Sequence, residues 1–339
     1  MSSGATQKWG NGLVELSRAG LYCPKGGFHI DPWKGVDRAL ITHGHADHTR
    51  VGSSHYTCAD IGLPILELRL GKKAPIEGWP YGERRRLGDV WVSFHPAGHV
   101  LGSAQIRIES GENVTVITGD YKRHWDPSCH PFEVVPCDTF ITESTFGLPI
   151  YQWPDPSAEF EKINTWWRRN SEQGRTSVIY AYSLGKAQRI LAGIDPKIGP
   201  IGVHRAVDEF LPIYRNAGFP IPETVRIGSE NPQIIKGSGL FVLPPSAEAK
   251  WMSKLGPSSE AAASGWMRVR GMRRWQSYDQ GFVISDHADW PTLHQTIQET
   301  GAHHIGVTHG YTTEMVRYLR EVGHNAFEVP TWFTGDRED

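Results

Sequence analysis

The chain has 339 residues, 39% of them apolar and 21% charged, with a formal net charge of −2. That length allows ample core for one large domain or two moderate ones, and the near-neutral charge provides no global attraction to polyanions. The stretch Met1–Gln7 lacks a basic flank before an apolar core, no apolar run approaches the roughly 20 residues that span a bilayer, and Cys23, Cys58, Cys129 and Cys137 form no CxxC pair. No secretory signal, membrane span, disulfide framework or thiolate zinc site is therefore expected, and a reducing, cytoplasmic setting is.

In chain order, Arg38–Thr42 reads as a short buried strand bounded by polar residues. His43-Gly44-His45-Ala46-Asp47-His48 follows directly. Imidazole nitrogen and carboxylate oxygen suit zinc or manganese, and three histidines with an aspartate in six residues can ligate without the chain folding back. His43 and His45 alternate, so both can address one centre, while Asp47 and His48 are expected to open a helix and turn toward a second. The Arg84-Arg85-Arg86 run reads as a solvated face. Three later segments each place a polar residue beside glycine at a strand end: Val92–His99, Val114–Asp120 and Ile305–Gly310. They offer His99, Asp120 and His309.

Tyr151–Pro156 looks like a linker, after which Ser157 starts a helix with Glu159 and Glu161 in its first turn. Ser177–Ala181 reads as a strand meeting a helix at Lys186–Leu191, a turn where Ser183, Gly185 and Lys186 could hold a phosphate. Ser264 beside Gly265 is a weaker candidate of the same kind. Arg268, Arg270, Arg273 and Arg274 lie between Trp266 and Trp275, a mixture that suits single-stranded nucleic acid, though such a run is more often a solvated face and alone supports no nucleic-acid role. Phe282–Ile284 reads as a strand returning to the first domain, with Asp-rich capping at Ser285–Asp289 before a helix over Pro291–Thr300 that stops at Gly301.

The series HxHxDH, Gly-His, Gly-Asp and a late His resembles the metallo-β-lactamase superfamily. Ile141–Gly147, Ser285–Asp289 and Val307–Gly310 resemble the extra motifs of its β-CASP nucleases, and Ala181–Gln188 resembles a segment of their inserted domain. The wording Glu-Ser-Thr-Phe-Gly and Ser-Asp-His-Ala-Asp-Trp and the total length most resemble the bacterial DNA-ligase-associated exonucleases. The resemblance implies an α/β fold: an αββα sandwich over residues 1–155 and 276–339, interrupted by a small α/β insert over 156–275, with substrate in the cleft between. It implies two divalent ions, zinc or manganese, one held by His43, His45 and His99 and the other by Asp47, His48 and His309, with Asp120 bridging. Asp31 falls where the family has a carboxylate that orients a ligand histidine. Asp47, His287 and Glu143 are the implied catalytic residues, with His287 protonating the leaving oxygen and Glu143 keeping it cationic.

The activity expected is hydrolysis of DNA from its ends in repair, with functional association with DNA ligase and helicase. Two observations keep RNA open as substrate: His309 is present, as in RNA-cleaving members, and DNA-cleaving members of the crosslink-repair type lack it. A non-catalytic nucleic-acid-binding scaffold is disfavoured because every expected ligand is present. A lactamase- or thioesterase-like hydrolase leaves the insert and the Glu143/His287 pair unexplained.

Overall fold

The computed structural model describes residues 10–247, 250–269 and 278–332. The chain clusters into two compact units: one takes residues up to Arg123, His130–Pro149 and the chain from His287, and the other takes His124–Cys129 and Ile150–Asp286. Arg270, Arg273, Arg274 and Trp275 lie outside the described residues. Among those described, no helix is long and apolar enough to cross a membrane.

The first unit contains two six- and seven-stranded sheets. One runs in chain order through Glu15–Ser17, Gly20–Cys23, Phe28–Ile30, Arg38–Leu40, His55–Ala59 and Ile76–Trp79. The other orders Asn325–Glu328, His304–Gly310, Thr139–Ser144, Asn113–Ile117, Ala104–Ser110, Val90–Pro96 and Arg85–Leu87. Strand periodicity sorts the side chains by layer. Leu40 joins Phe28, Phe94, Ile106, Ile117 and Ile141 in the core between the sheets. Its neighbours Ala39 and Ile41 point the other way and pack with Leu66 of the helix Leu63–Leu70. On the second sheet Ile141 faces inward, whereas Phe140, Ile305 and Val307 pack outward against Leu293, Ile297, Met315 and Leu319. Those four come from the helices Trp290–Thr300 and Thr312–Glu321. The layers are therefore helix, sheet, sheet, helix. Each fully buried aliphatic side chain contributes about 1.5–3 kcal/mol.

Local signals set the ends of these elements. Asp289 caps Trp290–Thr300 by accepting from the Thr292 amide at 3.2 Å, and Gly301 stops it with φ of 67°. Asp47 and His48, expected to open a helix, lie instead in a turn where the amides of His48 and Thr49 both donate to the His45 carbonyl, at 3.2 and 3.0 Å. No run of helical residues follows it. In the Arg84–Arg86 run every guanidinium meets a carboxylate: Arg84 with Glu109, Arg85 with Glu77 and Glu83, Arg86 with Asp89. That segment is charge-balanced and forms no basic patch.

The second unit is built on a parallel sheet ordered Val225–Arg226, Ile201–Val203, Leu240–Leu243, Thr176–Tyr180, Ser258–Ala263 and Gln280–Phe282. Parallel strands need crossovers, supplied in part by Lys186–Gly193 and Leu211–Asn216. Val178, Phe241, Leu243 and Leu255 are fully buried in its core. Asp155 caps the long helix Pro156–Glu172, one residue before the predicted start. Arg189 ties together segments distant along the chain, pairing with Asp126 and donating to the Ser285 carbonyl. This is why His124–Cys129 and the residues up to Asp286 group with this unit.

Candidate metal centre

Four loops at strand ends of the first unit bring the motif residues together. His43, His45, His99 and Asp120 have ligand atoms all within 4.8 Å of one another, and so do His48, Asp120 and His309. Asp120 belongs to both groups. Its Oδ2 lies 3.6 Å from His43 Nε2, 3.6 Å from His48 Nε2 and 3.8 Å from His99 Nε2. Asp47 Oδ2 is 3.7 Å from His48 Nε2, and the His48 and His309 rings are 5.1 Å apart. Chain segments separated by up to 266 positions thus converge on one carboxylate.

Hydrogen bonds aim the rings. Asp31, at φ of 42°, accepts from the Thr42 amide at 2.8 Å, the Thr42 hydroxyl at 2.6 Å and His48 Nδ1 at 2.7 Å. A carboxylate only accepts, so His48 carries its proton on Nδ1 and turns Nε2 toward the carboxylates. Thr42 has spent its one hydroxyl proton on Asp31, so its oxygen accepts from His43 Nδ1 at 3.0 Å. That leaves a lone pair on His43 Nε2. Gly119 makes room for this arrangement, since a Cβ there would lie 2.5 Å from Thr42 Oγ1. Thr42 escaped sequence reading because a threonine ending a strand carries no signal of what its hydroxyl reaches. Replacing Asp31 with alanine is expected to weaken metal binding about 10–100-fold with the fold intact, measured by chelator competition and circular dichroism.

His309 owes its direction to a bulge. Glu143 pairs with Thr308 but Ser144 pairs with Gly310, so His309 is the unmatched residue, at φ of 53°. A bulge re-aims a side chain at the end of a strand. Ser144 clamps it by donating to the His309 carbonyl and accepting from the Tyr311 amide at 3.0 Å. Gly310 has φ of 70°, and a Cβ there would sit 2.4 Å from the Ser144 carbonyl oxygen. Gly310→Ala is therefore expected to cost about 1–3 kcal/mol of stability, read as a lower denaturant midpoint at unchanged slope.

The electrostatics fit a cation. His43 Nε2, His48 Nε2 and Asp120 Oδ1 are buried and have no hydrogen-bond partner among the described residues, which is costly unless something else satisfies them. Burial, helped by the facing imidazoles His48, His99 and His45, pushes His43 well below the usual histidine range. Burial and His48 take His309 down to about 4. Both rings are thus neutral, as a metal ligand must be. Burial opposes charge on His48 too, yet Asp47, Asp120 and Asp31 outweigh it and lift its pKa to about 10. Burial also raises the Asp120 carboxyl to about 7. Neutral His43 and His309 beside the Asp47 and Asp120 carboxyls form a nitrogen-rich cage of the kind zinc and manganese occupy, and His48, charged without metal, would release its Nε2 proton on metal binding.

Beside it, His287 Nδ1 lies 2.9 and 3.1 Å from the two oxygens of Glu143, both residues being fully buried. Glu143 Oε1 also accepts from the Tyr121 amide at 2.7 Å, and the His287 ring is 4.7 Å from that of His99.

The residues expected to hold phosphate in the second unit have partners within that unit. The Gly185 amide donates to Gln188 Oε1 at 2.7 Å, and Lys186 is buried in an ion pair with Asp286 at 2.7 Å. One amide at the helix N-terminus and the Lys186 ammonium are thus engaged by the chain's own groups. Ser183 contributes its carbonyl to the same cap, accepting from Gln188 at 2.9 Å. Ser264 accepts from the Trp266 amide at 3.3 Å.

No family model matches the chain. It is 28% identical over 312 residues to a "Probable DNA ligase" of Opitutus terrae, covering 91% of this chain and 30% of that protein. It is 31% identical over 172 residues to Endoribonuclease YSH1 of Yarrowia lipolytica, covering 50% of this chain and 20% of that protein. The chain thus spans a third or less of the length of these relatives. A crystal structure of a protein of unknown function from Enterococcus faecalis superposes with a TM-score of 0.58 at 13% identity, over 87% of this chain and 79% of that one, and supports the fold. The layered sandwich with its histidine–aspartate cluster is of the metallo-β-lactamase type. Taken with the relatives, it points to the metallo-β-lactamase/β-CASP superfamily.

Proposed function

We propose that this chain is a metal-dependent nuclease that hydrolyses phosphodiester bonds, with DNA ends as its substrate in repair. The observation that carries the reading is one buried carboxylate, Asp120, shared between two histidine groups, with the Glu143–His287 pair adjoining them. His43, His45, His99 and Asp120 would hold one divalent ion; Asp47, His48, His309 and Asp120 would hold the other, zinc or manganese in each. Two such ions supply a hydroxide nucleophile at neutral pH and positive charge opposite the phosphate oxygens.

The chain's own residues do the rest. Asp31 and Thr42 keep His48 and His43 in the tautomers that present Nε2. Glu143 engages His287 through Nδ1, so Nε2 is the atom through which His287 would deliver a proton to the leaving oxygen. Glu143 itself is held by the Tyr121 amide, which orients the carboxylate.

Similarity over nearly the whole chain to part of a protein named as a DNA ligase supports DNA as substrate and ligation as a neighbouring step. Similarity to an endoribonuclease supports the second reading, RNA processing. End-labelled DNA and RNA of matched sequence, incubated with zinc or manganese and followed over time, should show stepwise shortening of DNA. Faster cutting of RNA would overturn the DNA assignment, and cutting of neither would overturn the nuclease.

A further inference from the structure

The second unit contains a cavity that the phosphodiester chemistry does not use. It measures about 140 Å³ and is walled by Tyr180, Tyr182, Trp266, Met267 and Tyr278, with Ser264 at its edge. Its place follows from topology. From the strand Thr176–Tyr180 the chain builds Ile201–Val203, Val225–Arg226 and Leu240–Leu243 on one side, then crosses to build Ser258–Ala263 and Gln280–Phe282 on the other. In open parallel sheets that reversal leaves a crevice at the carboxyl ends of the strands, where ligands bind. Tyr180 ends the central strand, Tyr182 follows it by two residues and Ser264 directly follows Ser258–Ala263.

The rings are held in place before any ligand arrives. Lys186 Nζ sits 4.3 Å from the Tyr182 centroid, and Tyr151 meets Trp266 edge-to-face at 5.6 Å. Tyr180 lies 5.3 Å from Tyr278 and donates to Glu260 at 3.4 Å. The charge pattern rejects phosphate: the carboxylate of Glu260 adjoins the Tyr180 hydroxyl, and Lys186 is already paired with Asp286. Burial and Glu260 raise both the Tyr180 and Tyr278 hydroxyls, so they stay neutral. Aromatic walls, neutral hydroxyls and room for one ring system suit a flat, uncharged heterocycle. A whole drug-sized ligand needs about 300 Å³ or more.

We infer that this cavity is a nucleobase subsite, taking one unpaired base of a single-stranded nucleic acid stacked among Tyr182, Trp266 and Tyr278. The inference rests on the nuclease reading and extends it to how the strand is gripped.

The test is equilibrium binding, to the metal-loaded protein, of a fluorescent single-stranded oligonucleotide with nuclease-resistant phosphorothioate linkages, with a single abasic residue moved along the strand. Wild-type protein should lose about 10-fold in affinity at one position, the amount a stacked base contributes. Tyr278→Ala should lose as much on the intact strand and nothing further on the abasic one, while Tyr278→Phe keeps wild-type affinity. Tyr182→Ala, with its melting temperature checked, serves in the same way if Tyr278→Ala does not fold. Independent, multiplying losses, or variants that bind the intact strand as wild type does, would overturn the subsite. So would a wild type that shows no abasic effect or no binding. Cleavage is scored separately with manganese. A strand gripped with this base dependence but never cut leaves the subsite standing and sinks the nuclease. A strand that is cut equally well by all variants, with no abasic effect, sinks only the subsite.

Discussion

Asp120→Asn is expected to reduce bound metal below the wild-type content and to lower kcat/KM by roughly 10³-fold or more, about 4 kcal/mol of transition-state stabilisation. The substitution keeps the volume and removes the charge. It also replaces one carboxylate oxygen with an NH₂ group, in a place where Oδ2 faces Nε2 of His43, His48 and His99 at 3.6–3.8 Å. An amide cannot bridge two cations, and its protons would face whatever the imidazoles hold. Metal content by mass spectrometry and turnover on a labelled oligonucleotide should fall together. Full metal occupancy with normal turnover would remove Asp120 from the centre. Changing His95, which lies in the strand Val90–Pro96 that leads to His99 and bonds instead to Ser93 and Glu133, should leave both readouts near wild type.

The second large effect separates chemistry from metal. His287→Ala should retain the wild-type metal content and lower kcat by about 10²–10⁴-fold, the usual contribution of a positioned proton donor. Glu143→Gln should act in the same direction through the histidine. Its oxygen can still accept from the Tyr121 amide, which lies 2.7 Å away, but its NH₂ then faces His287 Nδ1. The ring then keeps at most the longer, 3.1 Å contact to the remaining oxygen and loses the carboxylate's charge, so the basic limb of the pH–rate profile should move while metal content does not. A His287→Ala enzyme with unchanged kcat, or one stripped of metal, would sink the assignment as proton donor.

Much of this was visible along the chain because metal chemistry leaves dense local signatures. His43–His48 supplies four candidate ligands in six residues, and His99, Asp120 and His309 each follow an apolar strand run. Local pattern could not show tertiary partners. Nothing near Lys186 in the chain signals that Asp286, a hundred residues away, takes its ammonium. Asp47 and His48 looked like a helix start, but Asp31 holds His48 by its Nδ1 in a turn.

The amino-acid sequence alone determined which atoms could bind metal, the strand and helix periods that bury Leu40 inward and Ile41 outward, and the caps at Asp289 and Gly301. Those are short-range properties, set by side-chain chemistry and by spacing within a few residues. Only the tertiary structure decided that a one-residue bulge opposite Ser144 turns His309 toward His48, and that four aromatic rings line a cavity at a strand crossover. These depend on the register between strands far apart in the chain, and register comes from packing the whole sheet.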